Sequence, residues 1–291
     1  MKIFHKKRRL LYVPIFGGLG NQMFQMAHAL NISYKENYQL QLLDYTKNIG
    51  IKRNWNLDCF GIEPTQIAYL KKKHLQNKIK LSNFLFKAGF KVNLGILNEE
   101  HIKKNQYNPS RKKICIGYWQ DEKYFKYSIN KIMEYFSFPK NILKPTCLKQ
   151  NISGNTVAVH IRRGDYVSDV NTRKIHYICD ENWYLKSIKA MSEMIDKPKF
   201  FVFSDDLNYS KEILKGFQDL SISFIPSDSR DWYHMYLMTF CKNFVISNSS
   251  YSWWGSYLSK AINKKIICPR YWNKTQLTNS TGIFRNEFIL M

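Results

Sequence analysis

The apolar run Thr156-Val157-Ala158-Val159-His160-Ile161 empties into Arg162-Arg163-Gly164-Asp165-Tyr166. Two guanidiniums fixed at the end of a buried strand suit a phosphate or diphosphate, because the planar fork donates parallel hydrogen bonds and keeps its charge. Alone, the pair reads equally as a solvated loop whose arginines pair with nearby acids. Two further runs raise it above that. Residues 10–16 have the pattern of a strand and open into Gly17-Gly18-Leu19-Gly20-Asn21-Gln22, followed by helical periodicity over 23–37. Strand, glycine turn and helix in succession is a phosphate-cradling layout, although no Gly-Lys-Ser/Thr follows and the glycines do not fit G-x-G-x-x-G. Late in the chain, Asn243-Phe244-Val245-Ile246 opens into Ser247-Asn248-Ser249-Ser250-Tyr251-Ser252-Trp253-Trp254-Gly255. Hydroxyls and an amide there can bind sugar or phosphate oxygens, or cap a helix beginning at about Tyr251; capping accounts for one or two of them only.

These clusters need elements to carry them. In the first half, strands are expected near 10–16, 39–44 and 114–119, with a helix near 21–37 and a helical, basic middle. In the second half, strands near 156–161, 200–204, 222–225, 243–246 and 265–268 alternate with helical stretches such as 181–195 and 232–241. Such alternation predicts a parallel sheet with helices on both faces. Pro139, Pro145 and Gly154 amid polar residues place the boundary within 138–155, dividing the chain into domains 1–150 and 151–291. Ligands of such sheets bind outside the carboxyl ends of the strands. His160 to Asp165, Ser204-Asp205-Asp206 and Ser247 to Ser250 all fall at those ends, so three polar clusters converge on one edge. Asp205 and Asp206 are adjacent rather than spaced as Asp-x-Asp, and their side chains diverge on extended backbone. With arginines already supplying positive charge, no metal is expected.

Composition narrows the class. No run of about 18 uninterrupted apolar residues is present, so no membrane span is predicted. Lys6-Lys7-Arg8-Arg9 and the following apolar residues resemble a signal peptide, but the apolar part is short and runs straight into the glycine motif; a cytoplasmic protein is expected. Cys59, Cys115, Cys147, Cys179, Cys241 and Cys268 lack paired spacing, against both a disulfide framework and a structural zinc site. The formal net charge of +23 is uneven: residues 1–150 carry 27 lysines and arginines against 9 acids, residues 151–291 carry 18 against 13. The first half therefore faces something negative, with an anionic membrane surface or a diphosphate-linked lipid acceptor ahead of nucleic acid, for which no recognition motif is present. Within it, lysines from Lys71 to Lys91 alternate with Leu75, Ile79, Leu81, Phe84, Leu85, Phe86 and Phe90. That stretch reads equally as a bilayer-interface segment, peripheral on the inner face of a membrane, or as ordinary amphipathic helix with solvated lysines.

Taken together, Gly17-Gly18-Leu19-Gly20-Asn21-Gln22-Met23-Phe24-Gln25, His160-Ile161-Arg162-Arg163-Gly164-Asp165-Tyr166 and Ser247-Asn248-Ser249-Ser250-Tyr251-Ser252-Trp253-Trp254 closely resemble the motifs of the α-1,2-fucosyltransferase family, in the same order and with similar separations. The likeness covers nearly the whole chain. It implies an α/β, GT-B-like fold, two Rossmann-like domains facing across a cleft, with residues 1–150 on the acceptor side and 151–291 binding the nucleotide sugar. It further implies inverting, metal-independent transfer of L-fucose from GDP-fucose to the 2-hydroxyl of a galactose-terminated glycan, such as a surface polysaccharide, an O-antigen or a lipid-linked precursor. No cofactor beyond the donor substrate is expected. Carried onto this chain, Arg162 and Arg163 take the diphosphate, Asp205 or Asp206 lies near guanine or ribose, and Ser204 and Ser247, Asn248, Ser249 and Ser250 complete the donor site. Gly17, Gly18 and Gly20 form the turn from which Asn21 and Gln22 reach donor or acceptor. Met26 departs from the aromatic common after Met-Phe-Gln.

Breaking the bond from fucose to the β-phosphate leaves added charge on GDP and an oxocarbenium-like sugar, and fixed arginines and backbone N–H groups stabilise that charge as it develops. For a base on the acceptor hydroxyl, Asp165 is the first candidate and His160 the second; Asp165 reads nearly as well as a residue that orients Arg163. Two alternatives stand beside this reading: a transferase of the same fold using another nucleotide sugar, and a basic membrane- or nucleic-acid-binding protein.

Overall fold

The computed structural model describes residues 8–49, 51–90, 94–101, 108–110, 112–139, 155–164, 178–228, 230–274 and 282–291. The chain divides into two compact units, Met1–Ser137 and Phe138–Met291. Each is built on a sheet whose strands pair in parallel, the two-unit α/β plan of the GT-B type.

The first unit opens with β1 (Arg9–Ile15), α1 (Leu19–Glu36) and β2 (Tyr38–Asp44), continues through α2 (Tyr69–Lys87), β3 (Ile96–Asn98) and β4 (Ile114–Ile116), and ends with α3 (Ile129–Tyr135). The sheet order is β2-β1-β4-β3. β1 and β2 pair along their whole length, Arg9 opposite Tyr38 through Ile15 opposite Asp44. α1 is buried almost without a break from Leu19 to Ile32, so it lies inside the unit rather than on its surface. α2 is different: only Leu75, Ile79 and Ser82 are buried, where Leu75 and Ile79 meet Tyr12, Leu43, Tyr45 and Ile114 of the sheet region.

The second unit comprises β5 (Thr156–Ile161), α4 (Glu181–Met194), β6 (Lys199–Ser204), α5 (Leu207–Ile213), β7 (Ser221–Phe224), α6 (Tyr233–Met238), β8 (Asn243–Val245), α7 (Ser250–Leu258), β9 (Ile266–Cys268) and β10 (Phe288–Leu290). Their order is β10-β9-β8-β5-β6-β7. The chain steps outward from β5 to β7, returns to lay β8 on the other side of β5, and steps outward again, so the order reverses between β5 and β8. Every residue of β5, β8 and β9 is buried, as a parallel sheet covered on both faces requires. Val157, Val159 and Ile161 share one core cluster with Phe200 and Val202 of β6 and with Tyr184, Ile188 and Met191 of α4. α4 starts where the Asp180 carboxylate accepts the Trp183 N–H at 2.8 Å, an N-cap worth about 1 kcal/mol.

β1, β2 and β4 to β9 fall where the apolar runs predicted them, while β3 and β10 were not anticipated. One predicted strand is too long. β4 stops at Ile116 because Gly117 has φ 151° and Trp119 has φ 56°, and a non-glycine residue in the left-handed region ends an extended run. Cys59, Cys115, Cys179, Cys241 and Cys268 are free and buried, and burial raises each thiol well above its ordinary pKa; Cys147 lies outside the described residues.

The turn after β4 generates a stability prediction. Gly117 has a positive φ, and a Cβ there would overlap the Glu99 Cβ. Gly117→Ala should cost about 1–3 kcal/mol through this clash and the backbone strain. Thermal or urea unfolding measures it, and an unchanged midpoint would mean that the turn relaxes freely.

Candidate active site

The switch point between β5 and β8 is where an open parallel sheet receives ligands, and the second unit's polar clusters meet there. β5 and β6 are in register, with Ile161 opposite Ser204, so the residues just beyond each strand arrive side by side. The Asp205 carboxylate uses this alignment twice. Its Oδ2 lies 2.7 Å from Arg162 Nη1, and its Oδ1 accepts the backbone N–H of Arg163 at 2.8 Å. Arg162 and Asp205 are each about a quarter exposed, so this pair contributes only about 0–1 kcal/mol to stability; its main effect is to aim a guanidinium. Gly164 permits the arrangement, because a Cβ there would stand 2.6 Å from Asp205 Oδ2.

Arg163 is held by other partners. Its guanidinium carbon sits 3.7 Å from the centroid of the Tyr209 ring, a cation–π contact, and its Nε lies 3.4 Å from Asp206 Oδ2. That Nε is buried and makes no hydrogen bond. The backbone N–H of Arg162 donates to Tyr184 Oη at 3.2 Å, and burial keeps the Tyr184 phenol protonated by raising its pKa. Sequence reasoning named neither tyrosine. Tyr209 could have been found only by recognising α5, the short helix that the Asp206 carboxylate caps by accepting the Tyr209 N–H at 3.0 Å.

Not every expected ligand contact is free to be one. Ser204 is buried and its hydroxyl is used in the turn, accepting the Asp206 N–H at 2.9 Å and donating to the Asp206 carbonyl. Asn248 is buried as well: its amide donates to the Trp272 carbonyl at 2.9 Å and its oxygen faces the Cys179 thiol at 3.8 Å. Ser249 stands at the N-cap position of α7 without a side-chain capping bond, so capping does not account for its hydroxyl. No acidic residue occupies the first turn of α7, which leaves the positive end of its dipole at the β8 strand end.

His160, the second candidate for the base, stands in a setting that makes it a weak one. It is buried, its Nδ1 lies 2.9 Å from Ser247 Oγ, and its ring stacks on Tyr251 at 5.8 Å. Burial first, then the charges of Arg162 and His234, lower its pKa to about 3, and so weak a base takes a proton poorly at neutral pH. Asp165, the first candidate, lies outside the described residues.

The first unit presents its own strand-end cluster at the glycine turn. Gly17 has φ 78° and faces the Asn21 amide, whose oxygen accepts from Gln120 Nε2 at 2.6 Å. Gly18 precedes α1 at the N-cap and Gly20 is buried in its first turn. Gln22, expected to reach a ligand, has its amide committed elsewhere. Its Nε2 donates to the carbonyls of Gly17 and Asn54, both at 2.8 Å, and its Oε1 accepts the Asn56 N–H at 3.0 Å. It clasps the turn to a neighbouring loop. Glu99, unnoticed in the sequence, accepts the N–H groups of Tyr118 at 2.6 Å and Trp119 at 2.8 Å. It thereby holds Trp119 against His28, ring to ring at 4.0 Å, and burial lowers the His28 pKa to about 3.

Tandem parallel-sheet units, the second with a guanidinium pair at its switch point, have the layout of a GT-B-type transferase. The chain belongs to glycosyl transferase family 11, whose model matches residues 2–291, and it is therefore a glycosyltransferase. An Escherichia coli α-1,2-colitosyltransferase is 36% identical over 284 residues, spanning 93% of this chain and 95% of the relative. The E. coli O-antigen biosynthesis glycosyltransferase WbnK is 28% identical over 308 residues, spanning 94% and 99%. Among solved structures, the fucosyltransferase NodZ from Bradyrhizobium aligns with 87% of this chain and 93% of its own, at 12% identity and a TM-score of 0.43.

The buried histidines generate a pH prediction. In the fold His28 and His160 stay neutral down to about pH 3, whereas an unfolded imidazole takes its proton near 6.5. Between those values the unfolded chain binds more protons, so stability is fully present above about pH 6.5 and is lost as pH falls through the window. Each histidine contributes a slope of up to about 1.4 kcal/mol per pH unit. Denaturant unfolding at about pH 5 and pH 7 should therefore give a smaller difference for His160→Asn than for wild type. An identical slope would mean that His160 is not held neutral.

Proposed function

We propose that this protein transfers L-fucose from GDP-fucose to the 2-hydroxyl of a galactoside, with inversion and without a metal ion, in building a bacterial surface polysaccharide. The observation that carries the reading is Asp205 holding both arginines at the switch point of a family 11 transferase. A diphosphate placed there meets the Arg162 fork, the Arg163 Nε that still lacks a hydrogen bond, and the N-terminal N–H groups of α7. As the anomeric C–O bond breaks, the electron pair goes to the β-phosphate oxygen, and the two guanidiniums stabilise the charge gathering there. The acceptor oxygen attacks the opposite face of the sugar and gives up its proton. Asp165 is assigned that proton, and Asp205 and Asp206 are excluded from the role because they serve the arginines.

The same ion pairs support metal independence, since Asp205 and Asp206 already have cationic partners. The O-antigen relative supports a surface-polysaccharide acceptor. A second donor sugar has specific support: the relative at 36% identity transfers colitose. A panel of GDP-fucose, GDP-colitose and UDP-galactose against galactoside acceptors, with linkage analysis of the product, tests the reading. Product from GDP-colitose alone would move the assignment to that sugar, and product from the UDP sugar alone would overturn it.

Two predictions accompany the assignment. Rates in EDTA and in added magnesium should agree, and loss of most activity in EDTA would convert Asp205 and Asp206 into metal ligands. Lysine at Arg162 or Arg163 keeps the charge but loses the parallel second donor. At least one of Arg162→Lys and Arg163→Lys should lose about 10²–10³ in kcat, with a melting temperature near wild type. Near-normal turnover by both variants would leave the arginines a solvated pair.

A further inference from the structure

Among the described residues, no neighbour covers the outward face of α2. Leu75, Ile79 and Ser82 turn inward, yet Leu70 is 77% exposed, Phe84 68% and Leu81 49%. At about 100° per residue these three lie within about 60° of one another on the side away from the sheet. Lys73, Lys80 and Lys87, spaced every seven residues, run along one flank of that apolar strip, and Lys78 stands on the other. Lys71 and Lys72 turn inward instead, over the rings of Tyr12 and Tyr45. No acidic residue occurs between Tyr69 and Lys87. Beyond the helix, Phe90 is exposed as well.

The two properties together select the occupant. A nucleic acid would satisfy the lysines but gain nothing from three exposed apolar side chains. A second copy of the chain would cover the strip but bring lysine row against lysine row. An anionic bilayer satisfies both, taking the apolar side chains at the headgroup–acyl boundary and the lysines at lipid phosphates. Among the described residues no helix is long and apolar enough to cross a membrane, so the contact is with the surface. We propose that α2 docks this protein on an anionic lipid bilayer, through the Leu70–Leu81–Phe84 strip and the flanking Lys73, Lys80 and Lys87. The inference stands apart from the choice of donor sugar.

Co-sedimentation of the full chain with phosphatidylcholine vesicles carrying increasing phosphatidylglycerol tests it. Binding should rise with the anionic fraction and fall as salt shortens the screening length from about 10 Å at 0.1 M to about 3 Å at 1 M. Each lysine near a charged surface is worth about fivefold in partitioning, from roughly 1 kcal/mol, so Lys73→Gln, Lys80→Gln and Lys87→Gln combined should weaken binding about a hundredfold. Leu70→Ser, Leu81→Ser and Phe84→Ser combined should abolish it, with unchanged circular dichroism and thermal midpoint in both variants. If either triple variant unfolds, the corresponding single substitutions, Phe84→Ser or Lys80→Gln, should still weaken binding. Equal binding to neutral and anionic vesicles, no binding at low salt, or full binding by both folded variants would overturn the proposal. So would self-association of the wild type that the serine variant removes, which would identify a second copy as the occupant.

Discussion

One carboxylate organises the candidate site. Asp205 gives one oxygen to the Arg162 guanidinium and the other to the Arg163 backbone N–H, and it can do so only because β5 and β6 end level and residue 164 has no side chain. The interaction adds little to stability at its degree of exposure. Its value lies in order, since a free arginine samples many rotamers and freezing it at the moment of binding would cost affinity. The carboxylate also tempers the field of the two adjacent cations.

The sequence was most legible where burial is most complete. β5, β6 and β8 are buried along nearly their whole length, so residues 157–159, 200–203 and 244–246 form apolar runs, and the polar residues that follow mark the strand ends. β3 and β10 were missed although β4, β8 and β9 are equally short: β8 and β9 are buried throughout, whereas β10 is only partly buried and β3 runs into the polar Asn98 and Glu99. Site residues divide along a different line. Arg162, Arg163 and Asp205 are brought together by strand register, which the pattern of strands encodes. The roles of Gln22, Ser204 and Asn248 depend on partners such as Asn54, Asn56 and Trp272 that no local pattern announces. Their residue types suggest ligand contacts, while in the fold their side chains bond to neighbouring backbone. Glu99 is the converse case: its importance comes from backbone donors about twenty residues away.

The two units solve the strand-end problem with different chemistry. In the first, the turn after β1 removes side chains: Gly17 takes a left-handed conformation, Gly18 leaves the helix start uncapped, and Gln22 secures the loop from behind. In the second, the turn after β5 concentrates side chains and uses carboxylates and tyrosines to hold them. One edge offers backbone, the other cations. Buried neutral histidines sit near both, His28 under Trp119 and His160 against Ser247, packing as polar aromatics that do not change charge at neutral pH.

The strand order of the second unit also bears on how the chain is made. β5 is the first strand of its sheet to leave the ribosome, and it becomes a central one. β6 and β7 can add to one side soon afterward, but the other side stays bare until β8, whose synthesis comes about eighty residues after β5. At about 5–20 residues per second that interval lasts several seconds. Throughout it the nascent chain displays a largely apolar strand with unsatisfied backbone groups along one edge, the kind of surface that recruits chaperones or neighbouring polypeptides. The reversal of strand order between β5 and β8 therefore also leaves an open sheet edge during the protein's biogenesis.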